Sequence, residues 1–232
     1  PESILPDLPY SSGYQKGTPQ NHLLRLGMYG PHADNFHLSR SSQLGLRYLY
    51  TGDIEDARTY RGTLLEEVNT GVLEQLYHYK SLRMFQLWAM LAPCSVFGTD
   101  DQDIINGAIY TYPLEESGIA NIDALRNEIE KPNIFNRHHA CDALNLWVGT
   151  DNMWRQSGEE HWLEKRSVAD AYFEAQRDTD VPLTGLTEGY ASYLEVALEW
   201  MLMCCPDRIT QDPHMRLWAE RVMGLCTNAG QL

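Results

Sequence analysis

Histidine and carboxylate residues recur at helical spacing in this sequence, and they are the residue types best suited to do chemistry. Residues three or four positions apart project from the same face of a helix. Helical bundles build di-metal sites from such pairs, with further glutamates from facing helices, for which Glu188 or Glu195 would serve. The pattern therefore allows a metalloenzyme with a His/carboxylate site. The three pairs are Glu74 and His78, His138 and Asp142, and His161 and Glu164.

A purely structural explanation of these pairs is also open. A helical chain with eight His and 32 acidic residues contains such pairs by chance, and many of them only stabilise a helix surface. The adjacent His138 and His139 point about 100° apart on a helix, so at most one of them joins Asp142. The sequence has no phosphate-binding glycine loop, G-x-S-x-G, H-E-x-x-H or EF-hand motif. We therefore expect no catalytic residue and no cofactor, with the metal site as an alternative.

The charge of the chain favours a basic protein as its partner. The 32 Asp and Glu residues outnumber the 18 Lys and Arg residues, which gives a formal net charge of −14. This balance argues against binding to nucleic acid or to an anionic membrane, although the charge could serve solubility alone. Stacked helical hairpins would merge several acidic clusters into one negative surface that attracts a basic partner. The candidate binding residues are Asp53, Glu55, Asp56, Glu66, Glu67, Asp100, Asp101 and Asp103.

Cysteine usage and hydropathy indicate a cytoplasmic location. The five cysteines are an odd number and show no C-x-x-C spacing, so neither a disulfide framework nor a zinc site is predicted. No apolar run approaches the roughly 18 residues that a membrane-spanning helix requires. A reducing cytosol fits these features best.

The stretch from Phe36 to Val68 predicts two antiparallel helices joined at Thr51-Gly52-Asp53. Gly52 suits the left-handed end of the first helix, and Asp53 suits the cap of the second. The small residues Gly45 and Ala57 should let the two helices approach closely. In the second helix we expect Ile54, Ala57, Leu64, Leu65 and Val68 to face inward and Glu55, Asp56, Glu66 and Glu67 to face outward.

The rest of the chain continues the helical pattern. Gly149-Thr150-Asp151 follows a predicted helix in the same way as Thr51-Gly52-Asp53, which suggests a turn there and a second, diverged helical hairpin. Trp147, Trp154 and Trp162 either belong to the core or line a small-molecule pocket. No convincing period-two strand occurs, so we predict an all-α fold of stacked antiparallel helical hairpins, with residues 1–31 as an irregular strap and 32–232 as one helical domain. The helices are expected at about 70–92, 100–110, 121–130, 134–148, 168–176 and 186–205, with a last one after Pro213. A further helix, rich in aromatic residues, is expected after the turn at 149–151 and contains Met153, Trp154, Trp162 and Leu163.

Two families resemble this chain. The residues Leu44, Gly45, Tyr48, Gly52 and Ala57 have a spacing that resembles the helix-pair signature of tetratricopeptide repeats, although Ser41 replaces the usual aromatic residue. The order of motifs along the chain is a Leu-Gly helix at Gln43 to Gly52, a Trp-bearing middle and a late Gly-Tyr helix at Gly189 to Met201. This order resembles the all-α immunity proteins of bacterial polymorphic toxin systems.

The resemblance to immunity proteins implies a cytoplasmic antitoxin without catalysis of its own, which binds a cognate toxin domain and blocks its active site. Together with the charge, it leads us to expect a non-enzymatic protein whose acidic surface occupies the basic cleft of a toxin. A metalloenzyme and a helical-repeat adaptor for a peptide are the alternatives.

Overall fold

The computed structural model describes residues 39–71, 78–114, 118–133, 136–177 and 188–213, together with Arg216, Leu217 and Glu220. Within these ranges the chain forms eight α-helices, one short 3-10 turn at Pro206–Arg208, and no β-strand, which confirms the all-α prediction. The strap predicted at residues 1–31 lies outside the described ranges. The helices are α1 (Arg40–Thr51), α2 (Ile54–Asn69), α3 (His78–Leu91), α4 (Thr99–Thr111), α5 (Ile122–Glu130), α6 (Arg137–Ser157), α7 (His161–Arg177) and α8 (Glu188–Cys204).

The hairpin of α1 and α2 forms where the sequence predicts it. Gly52 adopts a left-handed conformation with φ of 65°, and its N–H donates to the Tyr48 carbonyl at 2.8 Å. The Asp53 carboxylate caps α2 by accepting from the Glu55 N–H at 3.0 Å. A β-carbon at Gly45 would lie only 3.1 Å from the Tyr60 ring, so the glycine permits the close approach of the helices.

Two residues at the start of α2 face opposite to the prediction. Ile54 is 41% exposed, because it precedes the first residue of α2 that reaches the core. Asp56 is buried, since its carboxylate turns back toward α1, accepting from the Thr51 hydroxyl at 2.7 Å and pairing with Arg47 at 2.8 Å. A pattern of apolar and acidic residues does not reveal such a contact between helices.

The predicted turn at Gly149-Thr150-Asp151 is wrong. Helix α6 runs through these residues without a break, and the chain turns instead at Gly158, whose φ is 71°. Glycine costs about 1 kcal/mol relative to alanine inside a helix, which a buried position readily offsets. Gly149 lies against the Phe85 ring, and the Thr150 hydroxyl donates to the Leu146 carbonyl at 2.6 Å. The proposed correspondence between the two halves of the chain therefore fails.

Helix α6 is the centre of the described part. It packs against α3, α4, α5, α7 and α8, and all its residues from Ala140 to Asn152 are buried. All eight helices contribute to one hydrophobic core, in which Trp88 and Phe97 make an edge-to-face contact with ring centroids 4.9 Å apart. Helix α3 ends at Leu91, just before Pro93, as predicted. Among the described helices, none combines the length and the apolar character that crossing a membrane would need.

Candidate functional site

Helices α3, α5 and α6 bring five ionisable residues together, which we call the histidine–carboxylate cluster: His78, Glu128, His138, His139 and Asp142. His78 begins the described part of α3, and Glu128 lies in the last turns of α5. The other three come from the first two turns of α6, where positions i and i+4 place His138 and Asp142 on one face. Because α6 packs against both other helices, the five side chains meet at their junction.

In one half of the cluster, His78 contacts both His138 and Asp142. Its Nε2 lies 2.9 Å from Nδ1 of His138, and its Nδ1 lies 3.5 Å from Oδ1 of Asp142. The sequence pairs His138 with Asp142 directly, but the structure places an imidazole from another helix between them. The close contact of the two imidazoles links α3 to the start of α6, and the Asp142 carboxylate lies beside them.

In the other half, His139 contacts both Glu128 and Asn121. Its Nδ1 lies 2.7 Å from Oε1 of Glu128, and its Nε2 lies 3.2 Å from Nδ2 of Asn121. Asn121 also hydrogen-bonds the Asp142 carboxylate, which joins the two halves. Asn136, the N-cap of α6, donates to Glu128 at 2.9 Å. The two adjacent histidines therefore point to different partners, in agreement with the 100° separation on a helix.

Burial changes the proton affinity of the cluster. It raises the pKa of Asp142 from 3.8 to about 7, with the neighbouring Glu128 acting in the same direction. Burial also lowers the pKa of His78 from 6.5 to about 4, helped by the adjacent positive groups of α6. The hydrogen bond that His139 donates to the Glu128 carboxylate raises the pKa of His139. At neutral pH, Asp142 therefore carries a proton for much of the time while His78 is neutral.

The cluster is not arranged as a metal site. His78 turns its two nitrogens toward different partners, so the groups of His78, His138 and Asp142 do not converge on one point. In the described ranges, no group of three or more His, Cys, Asp or Glu residues is placed to hold a metal ion. His161 and Glu164 are exposed at the start of α7, where His161 pairs with Glu159 at 3.7 Å. Glu74 and the side chains of Glu188 and Glu195 lie outside the described residues.

The eight predicted surface acids divide into two groups. Asp56 and Asp101 are buried, which corrects the prediction that they belong to the surface. Asp101 makes a two-point contact with Arg61, with Nε and Nη2 each 2.7 Å from an oxygen, and it accepts from the Gly98 N–H at 2.9 Å. Glu67 is half-buried and accepts from the backbone and the hydroxyl of Ser41. These carboxylates hold helices together and present little negative charge to solvent.

The other five acids are exposed, and we call them the acidic face: Asp53, Glu55, Glu66, Asp100 and Asp103. Glu55 and Glu66 are eleven residues apart and so share one side of α2. The contact of Arg61 with Asp101 joins the middle of α2 to the first turn of α4, beside Asp100 and Asp103. Glu55 pairs with Arg58 and Glu66 with Arg40, all exposed, whereas the three aspartates make no ion pair with a described residue.

Large exposed apolar side chains are neighbours of these acids in the sequence. Ile54, next to Asp53 and Glu55, is 41% exposed, and Ile104, next to Asp103, is 44% exposed. Tyr110, two turns further along α4, is also exposed. Exposed apolar groups beside charged ones are the composition of a protein-binding surface, in which an apolar centre has a polar rim.

Sequence reasoning missed several residues that position these groups. Glu128, Asn121, Asn136 and Arg61 act across helix junctions, and no spacing along one helix identifies them. The one local signal is Asn136, since asparagine just before a helix is a good N-cap and lies three residues before His139.

Comparisons with known proteins identify no relative: no protein-family model, no curated protein and no solved structure matches this chain.

Proposed function

We propose that this protein is a non-enzymatic binding protein, an immunity protein that captures a basic toxin domain through the acidic face. The observation that supports the proposal is the set of exposed carboxylates at the start of α2 and α4, together with the exposed Ile54 and Ile104 that are next to them in the sequence. The resemblance of the sequence to all-α immunity proteins points in the same direction.

The charge distribution supports electrostatic attraction as the first step. Asp53, Asp100 and Asp103 have no cationic partner among the described residues, so their charge is available to a lysine- or arginine-rich surface. Exposed charges of this kind speed encounter over a distance of about 8 Å at physiological ionic strength. The exposed isoleucines then supply apolar area that a charge-only contact lacks. Occlusion of the substrate cleft of the toxin requires no catalytic group in this chain.

Rescue of growth tests this function. A toxin domain encoded beside this chain is expressed with it in a bacterial host, and survival is compared between variants. We expect the unmodified chain to protect the host and the triple variant Glu66→Lys, Asp100→Lys, Asp103→Lys to fail.

A matched control distinguishes the effect of the acidic face from the effect of the net charge. The variant Asp123→Lys, Glu159→Lys, Glu160→Lys reverses three exposed acids outside the acidic face and changes the net charge by the same amount. It should protect as the unmodified chain does. Equal protection by both triple variants would overturn the role of the acidic face, and no protection by the unmodified chain would overturn the function.

A further inference from the structure

A cavity of about 490 Å³ opens between α3, α6 and α8, away from the acidic face. Its walls are mostly apolar and include the side chains of Ala89, Met90, Trp147, Val148 and Met203. Met90 is 49% exposed and Met203 is 36% exposed, so both remain accessible at the rim. The volume lies in the range of cavities that hold small molecules, which run from about 300 to 1,000 Å³.

Two of the four polar residues that line the cavity are already satisfied. Gln86 accepts from Arg83 at 2.7 Å and donates to Glu199 at 3.1 Å. Asp151 uses one oxygen for Nε of Arg155, at 2.6 Å, and the other for Arg166, at 2.5 Å. The only carboxylate that lines the cavity within the described residues therefore has both oxygens occupied by arginines.

Of the other two polar residues, only Arg155 offers hydrogen-bond donors to the cavity. It uses only its Nε for Asp151, which leaves its two Nη groups without a described partner at the rim. Asn152 is 6% exposed, and its Nδ2 is enclosed by the protein, out of reach of a molecule in the cavity. The Nη groups of Arg155 are therefore the donors that a ligand can meet.

Several contacts hold Trp147 in the wall of the cavity. The indole N–H groups of Trp147 and Trp200 both donate to Oδ1 of Asp170 at 2.9 Å. Arg166 lies over Trp147, with its guanidinium carbon 5.3 Å from the ring centroid. These contacts fix the Trp147 ring in the wall of the cavity, so little ordering is needed when a ligand enters.

We propose that this cavity binds a small amphipathic monocarboxylate, such as a medium-chain fatty acid. Its hydrocarbon part packs against Met90, Val148 and Met203, while its carboxylate accepts hydrogen bonds from the Nη groups of Arg155. A carboxylate head group fits because the free guanidinium nitrogens at the rim are charged donors, and a guanidinium binds a carboxylate by two parallel hydrogen bonds. The proposal is independent of the acidic face.

Calorimetric titration with octanoate and with 1-octanol tests the proposal, because the two probes share a hydrocarbon chain and differ in the head group. We expect one octanoate per chain and an affinity about tenfold higher than that for the alcohol, since a charge-assisted contact is the stronger one. The variant Arg155→Gln should remove this preference. The variant Arg58→Gln, which changes an exposed arginine of α2, should retain it.

The variant Met90→Asp places a negative charge at the rim and should abolish octanoate binding. Circular dichroism confirms the fold of each variant before titration. The absence of saturable octanoate binding would overturn the proposal, as would equal affinities for octanoate and 1-octanol. If Arg155→Gln leaves octanoate binding unchanged, the octanoate carboxylate does not bind at Arg155, and the proposal is overturned.

Discussion

The acidic face and the histidine–carboxylate cluster have carboxylates at similar helical spacing, yet their environments are opposite. Glu55 and Asp103 lie in solvent, where water screens their charge. Glu128 and Asp142 lie between helices, where burial raises the pKa of Asp142 to about 7. The role of a carboxylate therefore depends on its neighbours across helices. An exposed acid is available to a partner, whereas a buried one affects stability and its dependence on pH.

The sharpest contrast lies within one helical turn of α4, between Asp101 and Asp103. The change Asp101→Ala removes two hydrogen bonds from Arg61 and one from the Gly98 N–H, and we expect it to lower the free energy of unfolding by about 2 kcal/mol. The change Asp103→Ala should alter it by less than about 0.5 kcal/mol, because that side chain is exposed. Urea denaturation of both variants measures the difference. Equal losses would mean that Asp101 is not the internal link between α2 and α4.

The second contrast concerns pH. Because the folded-state pKa of Asp142 exceeds its unfolded value of 3.8, ionisation opposes folding, and this cost grows as pH rises from about 4 to about 7. The change Asp142→Asn removes the ionisation. Relative to the unmodified chain, we expect this variant to gain at least about 1 kcal/mol more at pH 8 than at pH 5.

Denaturation at the two pH values measures this gain. The control Asp103→Asn, at an exposed position, should show no such dependence on pH. A gain for Asp142→Asn that is the same at pH 5 and pH 8 would contradict the raised pKa.

The smallest effect concerns His139. Its hydrogen bond with Glu128 raises the folded-state pKa, so the contact stabilises the fold below pH 6.5, and the stabilisation disappears as pH rises past the folded-state pKa. We expect its ring protons, followed by NMR, to titrate above 6.5 and those of His78 to titrate near 4. The change Glu128→Gln should lower the pH at the titration midpoint of His139. Equal titration midpoints for His78 and His139 would contradict the geometry of the cluster.

Particular residues show how far the sequence predicts this molecule. The periodic apolar residues, Gly52 and Pro93 predict helices and their ends, because these signals act within one turn of the chain. Gly149 misleads, since a glycine in a buried helix interior has the same sequence signal as a glycine in a turn. Asp56 and Asp101 were expected on the surface, because only the folded structure brings Arg47 and Arg61 to them. The meeting of His78 with His138 depends on the packing of α3 against α6, which no spacing encodes.

The association rate with the toxin domain, measured at low and high salt, tests the central claim most directly. We expect the rate for the unmodified chain to fall by about tenfold between 50 mM and 500 mM salt, because screening weakens the attraction of the acidic face. The variant Glu66→Lys, Asp100→Lys, Asp103→Lys should associate slowly at low salt, while the control Asp123→Lys, Glu159→Lys, Glu160→Lys should resemble the unmodified chain. A rate that is independent of salt, or equal for the two triple variants, would contradict the account.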